Sequence, residues 1–191
     1  VQLKCDRVME VEAKGIPTGK LLPVAGTDLD FRSGFRPISQ ASKSEAEQIQ
    51  FNYGLNHCFF VEPEQPYEGN NTMPLCYFNR DNPSLRVVAT AKDVYNGRQL
   101  EIATDQQTIV FYAGNFVNKK LGTKGCNYEL RTAFCLETQA PIDVQRLPHL
   151  GTSRLAPFQR YTNKTIFKFS VSGSEYNREY VEEAKKKQQA K

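Results

Sequence analysis

The apolar residues of this chain fall in short runs that alternate or sit in blocks, separated by turn residues, and they rarely recur with helical spacing. Val1 to Val11 alternates loosely and carries β-branched residues, which predicts a strand. Gly15 to Gly19 predicts a turn, with Pro17 fixing one φ and Gly19 permitting a positive one. Leu21-Leu22-Pro23-Val24 and Leu29-Asp30-Phe31 flank a second turn at Gly26. Asp30 and Arg32 lie two apart, share a face of an extended segment, and are expected to form a structural ion pair. Cys58-Phe59-Phe60-Val61 is a continuous apolar run. After a polar loop from Glu62 to Thr72, the stretch Pro74 to Phe78 resumes as a strand. Leu85 to Ala91 and Leu100 to Thr104 bracket Asn96-Gly97, a strong hairpin signal. Thr108 to Tyr112 is rich in β-branched and aromatic residues, and Tyr161 to Val171 alternates as a half-exposed strand would. Lys119 to Asn127 is a Gly-containing basic loop, and Pro141 to Pro157 is loop-rich.

Two stretches depart from this rhythm. Ser42 to Gln50 contains good helix formers behind a candidate Ser cap and predicts a short helix. Ser174 to Lys191 places acids before bases, with Glu182–Lys186 and Glu183–Lys187 at i,i+4 spacing. That predicts a solvated terminal helix or tail, the alternative being a partner-docking helix. With no internal repeat and no linker, the expected organisation is one β-domain over 1–172 and a charged helix or tail over 173–191. Many short strands imply an all-β sandwich or barrel.

Composition narrows the function classes. Of 191 residues, 39% are hydrophobic and 24% charged, the balance of a globular domain and not of a disordered one. No run approaches the roughly 20 apolar residues of a membrane-spanning helix. The net charge is +4 and its densest basic run is Lys185-Lys186-Lys187, without the interleaved aromatics of a nucleic-acid face. The five cysteines (Cys5, Cys58, Cys76, Cys126 and Cys135) form no C-x-x-C pair, so zinc and redox sites are not indicated. An odd number in a chain this long points to reduced thiols and a cytoplasmic setting. The two sequons, at Asn70 and Asn163, matter only in a secreted protein. The opening residues do not form a signal peptide, and position 1 is not Met, which leads to the expectation of processing, cleavage or a partial chain.

The candidate chemistry centres on Glu137. It follows Phe134-Cys135-Leu136 at the point where an apolar run gives way to a polar, Pro141-ended loop. A carboxylate at the mouth of a strand is suited to proton transfer when part-desolvated. The alternative is a turn cap or a surface salt bridge.

The stretch Phe134-Cys135-Leu136-Glu137-Thr138-Gln139, followed by Pro141, resembles the signature of the aldose 1-epimerase (galactose mutarotase) family. In the same order, Ile16-Pro17-Thr18-Gly19, Asp30-Phe31-Arg32, Gly97-Arg98-Gln99-Leu100-Glu101 and Phe111-Tyr112-Ala113-Gly114-Asn115-Phe116 are similar to further motifs of that family, so that the likeness runs from about Val1 to Ser170. The resemblance implies the family's large antiparallel β-sandwich, or supersandwich, of which this chain is the C-terminal part. It also implies interconversion of the α and β anomers of a free hexose such as galactose or glucose, with no metal or organic cofactor. Glu137 then stands where the family's general base stands, taking the proton of the anomeric hydroxyl.

The likeness is incomplete at three points. The family's catalytic histidine, with a second histidine and an arginine that contact sugar, lies upstream of the segment that begins at Val1. The family's sugar-binding aspartate falls on Asn56, which hydrogen-bonds but carries no charge. A glutamine that contacts sugar in some members falls on Val110. The chain's own histidines do not fill the gap. His57 adjoins Asn56 but should face the other way on a strand, as an ordinary half-buried histidine, and His149, in a loop after Pro148, reads as structural. Two expectations follow. The partner is a monosaccharide, together with an upstream half of the same fold carried by a second chain or a missing segment. The alternative is a member that has lost catalysis and acts as a carbohydrate-binding or structural subunit.

Overall fold

The computed structural model describes residues 1–61, 85–117, 120–121 and 125–171. Two antiparallel sheets face one another. The four-stranded sheet has the order β1-β5-β6-β11 and the five-stranded sheet the order β10-β7-β4-β2-β3, with a two-stranded β8-β9 ribbon beside them. The strands are β1 (Gln2–Leu3), β2 (Cys5–Glu12), β3 (Ile16–Pro23), β4 (Asn56–Val61), β5 (Arg86–Lys92), β6 (Arg98–Thr104), β7 (Thr108–Tyr112), β8 (Lys120–Leu121), β9 (Asn127–Tyr128), β10 (Cys135–Gln139) and β11 (Thr165–Val171). The all-β sandwich foreseen from the strand pattern is therefore the architecture found.

The alternation of each strand decides which sheet face it supplies. Leu3, Val88, Ala91 and Ile102 from one sheet and Val8, Phe59, Val61, Ile109 and Phe111 from the other form the continuous core between the sheets. Phe31 wedges into it, edge-on to Phe59 at 6.2 Å and to Phe111 at 5.4 Å between ring centroids. Each such ring contributes roughly 1.5–3 kcal/mol by leaving water. The ion pair foreseen at Asp30 anchors the segment that carries Phe31. Arg32 Nε and Nη2 donate to the two Asp30 oxygens at 2.9 and 2.8 Å, and Nη1 donates to Asp6 at 2.8 Å. That clamp holds the Asp30 carboxyl down at about 2.

Three expectations are corrected. The first strand divides at Lys4, so that β1 joins the four-stranded sheet and β2 the five-stranded one. The turn placed at 15–19 instead occupies Ala13–Gly15, and Pro17 and Gly19 lie inside β3. Pro17 is tolerated there because β3 is an edge strand. Gly19 keeps the positive φ expected of it, +89°, and a Cβ there would also meet Leu147 at 2.8 Å and His149 at 3.0 Å. The single helix over 42–50 becomes α1 (Ile38–Ala41) and α2 (Glu47–Phe51), neither with a side-chain cap. The break has a local cause. Ser44 Oγ accepts the Ala46 N–H at 3.0 Å, the competing turn that serines favour. The foreseen strand at 74–78, the sequon at Asn70, Cys76 and the charged helix or tail at 173–191 lie outside the described residues.

One flank of the sandwich is open. The edge strands β10 and β11 touch where Thr138 and Thr165 hydroxyls meet at 2.8 Å. Further along, Phe167 and Phe169, which alternation turns toward the core, are 51% and 77% exposed. Tyr161 to Val171 is thus wetter than a half-exposed strand.

Candidate functional site around Glu137

Glu137 sits in the middle of β10, opposite Val110 of β7, which is in turn opposite Cys58 of β4. Its neighbours Leu136 and Thr138 turn toward the core, so the carboxylate stands on the outer face of the five-stranded sheet. The next row on that face is Cys135, Tyr112 and Asn56. Asn56 and Glu137 lie two strands and one pleat repeat apart on the same face, about 12 Å between Cα atoms from strand spacings.

A segment crossing this face bounds the site on one side. After β10 the chain turns at Pro141 and runs back over the sheet. Ile142, Val144, Leu147 and Leu150 pack on Met9, Leu21, Cys58, Phe60 and Val110. The crossing ends by bonding the edge of β3: Arg146 Nη2 donates to Pro17 O at 3.1 Å, and His149 Nε2 lies 3.0 Å from Gly19 O. His149 is therefore structural, as the sequence suggested. Val110 belongs to this apolar patch, which explains why an apolar residue serves at that position. The burial of Cys58 beneath the same cover pushes its thiol pKa up.

Among the described residues no hydrogen bond or ion pair holds Glu137, and its side chain is exposed. The turn-cap and salt-bridge alternatives thus find no partner here. Asn56 is half-buried. Its backbone is the part that is used. Its N–H donates to His57 Nδ1 at 3.1 Å, and its carbonyl accepts from Asn52 Nδ2 at 2.9 Å.

His57 faces the opposite way, into the core. It is buried, not half-buried, with Nε2 3.0 Å from Gln48 O. Since Nδ1 accepts from Asn56 N–H, Nε2 carries the proton and donates to that carbonyl. Desolvation lowers its pKa to about 4, so at neutral pH it is an uncharged strut for α2. It does not share a cavity with Glu137.

Sequence reading missed the aromatic rim of the site. Tyr112 stacks on Phe116 (centroids 6.1 Å, planes 14° apart), and Phe116 meets Tyr53 edge-on at 6.0 Å. The available signal was Tyr53-Gly54 at the end of a helix-forming run, where glycine or asparagine ordinarily takes the left-handed position. A separate apolar pocket of about 670 Å³ lies between 35–39, the β5–β6 end, Phe134 and Phe169. Phe134 packs on Phe111 at 6.2 Å, so that pocket belongs to the inter-sheet side and not to the Glu137 face. Among the described residues no group of His, Cys, Asp and Glu side chains could hold a metal ion. No helix there is long and apolar enough to cross a membrane.

The aldose 1-epimerase family model matches residues 1–168. This chain belongs to the aldose 1-epimerase family. It is 31% identical over 173 residues to the galactose mutarotase of Homo sapiens and 30% to that of Bos taurus, in each case covering 90% of this chain and 44% of the relative. Its fold is similar to a GalM/aldose epimerase homologue from C. elegans, with a TM-score of 0.68 at 24% identity, covering 89% of this chain and 45% of that one. A galactose 1-epimerase from Lactobacillus acidophilus matches at a TM-score of 0.53 and 23% identity, covering 89% of this chain and 43% of that one. The chain thus spans a little under half the length of these aldose 1-epimerase relatives.

Proposed function

We propose that this chain supplies the general base of an aldose 1-epimerase that interconverts the anomers of a free hexose, galactose or glucose. The observation that carries the reading is the Glu137 carboxylate, exposed and, among the described residues, without a hydrogen-bond or ion-pair partner, on the outer sheet face that also carries Asn56. Glu137 takes the proton of the C1 hydroxyl while an acid donates a proton to the ring oxygen. The bond between C1 and the ring oxygen breaks to give the open-chain aldehyde, the C1–C2 bond rotates, and reclosure returns both protons. Asn56 orients the sugar from the same sheet face.

The acid is not supplied by His57, which is sealed in the core, or by His149, which is tied to β3. The reading therefore includes an upstream half of the same fold, as a second chain or a preceding segment, that brings the donor. The open flank supports it: Phe134, Phe167 and Phe169 stand exposed there, and such a flank beside two edge strands calls for a covering element. A cytoplasmic setting is proposed on the buried Cys58, whose thiol is in no disulfide.

The second reading is a family member that binds sugar without turning it over. Asn56 and Val110 favour it, since a sugar hydroxyl buried without a partner costs about 1–3 kcal/mol. Polarimetry on fresh α-galactose, with the chain assembled with its upstream half, separates the two. Accelerated mutarotation that disappears in Glu137→Gln supports the enzyme. Sugar binding without acceleration supports the binding protein. An undiminished rate in Glu137→Gln overturns the mechanism. Native mass spectrometry tests the assembly itself, and a stable particle of only 21.7 kDa counts against it.

A further inference from the structure

The rim beside Glu137 is built at a cost that packing does not repay. Tyr53 follows the cap of α2 with φ +57°, a left-handed conformation in which a bulky aromatic side chain is strained. Its ring is 64% exposed, and that of Phe116 is 57% exposed. A strained residue with a wet ring offers the fold little, so its persistence points to a use outside the fold.

The supports beneath these rings are correspondingly rigid. Phe116 N–H donates to Tyr112 Oη at 2.9 Å, fixing the stack. Arg131 Nη2 donates to Tyr53 O at 2.9 Å. Arg131 is itself left-handed at φ +62°. Buried Asn115 donates to Leu55 O at 2.8 Å, while its Oδ1 has no partner and lies where a Cβ on Gly54 would come within 2.4 Å. Tyr112, at the foot of the stack, is the direct cross-strand neighbour of both Cys135 and Asn56. The rings therefore overhang the row next to Glu137.

We infer that Tyr53, Phe116 and Tyr112 form a stacking shelf that seats the carbon–hydrogen face of a pyranose ring and holds its C1 end toward Glu137. The chemistry matches. A pyranose turns its hydroxyls outward around the ring edge and presents patches of C–H bonds on its faces, which pack on aromatic faces. The hydroxyls then remain free for Asn56 and the carboxylate. This shelf also bears on the loss of polar contact at Val110, since it positions sugar through the ring face and needs no hydroxyl partner there. The inference rests on the proposed sugar chemistry at Glu137, and the three rings are substrate-positioning groups.

The test compares Tyr53→Gly, Tyr53→Phe and Phe116→Leu in the complete assembly, reading galactose affinity by calorimetry, KM and kcat by polarimetry, and the melting temperature. Glycine relieves the strained φ, so Tyr53→Gly is expected to melt no lower than the native protein while its galactose Kd and KM rise about 3- to 10-fold, the size of an aromatic contact. Its kcat should stay within about twofold, as for any contact made equally in ground and transition states. Tyr53→Phe should retain native affinity, and Phe116→Leu should weaken it. Unchanged affinity in both Tyr53→Gly and Phe116→Leu overturns the shelf while leaving Glu137 untouched. A melting temperature that falls with affinity, or loss of the assembled mass in Tyr53→Gly, also overturns it, because the rings would then serve packing or the upstream half. If the unmodified assembly neither binds nor converts galactose, the failure belongs to the sugar reading itself and takes the shelf with it.

Discussion

The two faces of the five-stranded sheet put neighbouring residues of the same strands to opposite uses. On the inner face of β4 and β7, His57, Phe59, Ile109 and Phe111 are buried, and His57 spends both ring nitrogens on internal partners. On the outer face, Glu137 of the adjoining β10 has no partner among the described residues, and Asn56, one residue from His57, commits only its backbone. Polar groups that stabilise are satisfied within the fold, whereas groups that act on a ligand are left unsatisfied until it arrives. The inner face should therefore govern stability and the part of the outer face around Glu137 and Asn56, outside the patch roofed by Ile142 to Leu150, should govern binding, and substitutions can separate the two.

The sharpest contrast comes from the core. Phe111→Ala removes a fully buried ring that packs on Phe31 and Phe134, and should cost about 3–5 kcal/mol in urea unfolding. A loss below about 1 kcal/mol would show that the gap between the sheets is not the principal core.

Next in size is a pH effect. His57 has a folded pKa of about 4, below the 6.5 of the open chain, so between these values the unfolded state binds the extra proton. Stability is then full above about pH 6.5 and is lost as pH falls toward 4, by roughly 3 kcal/mol in all. His57→Gln should flatten the slope of unfolding free energy against pH in that window.

A smaller loss is expected at the Arg32 clamp. Asp30→Asn leaves the shape but removes the charge, and because Arg32 is partly solvated the cost should be about 1 kcal/mol. The Asp30 pKa is depressed in the folded state, so its contribution is present above about pH 4 and lost as pH falls toward 2. Glu137→Gln is the smallest for stability, within about 0.5 kcal/mol of the native chain by urea unfolding. A larger loss would mean that the carboxylate is structural after all.

Much of this division was legible in the chain. Alternation alone assigned Asn56 and His57 to opposite faces, and the Asn96-Gly97 turn placed β5 beside β6. Asp30 and Arg32, two apart, announced their pairing. What was hidden depended on long-range contact. Gly19 reads as a turn residue, yet it keeps its positive φ of +89° inside a strand, beneath the approach of Leu147 and His149. The stretch after Pro141 looks like loop because its apolar residues have no regular period, yet they roof one end of the site. The aromatic cluster joins Tyr53 to Tyr112 and Phe116, two well-separated parts of the sequence, and no local pattern could have brought Tyr53 to the other two.

The bonds that Arg146 and His149 make to Pro17 and Gly19 reach beyond local geometry. They occupy outward carbonyls of β3, and Pro17 and Pro23 have no amide hydrogen to offer a newcomer. An approaching strand would find the Pro17–Gly19 stretch of that margin already engaged, whereas the opposite margin of the sheet, Cys135–Gln139, carries the acid.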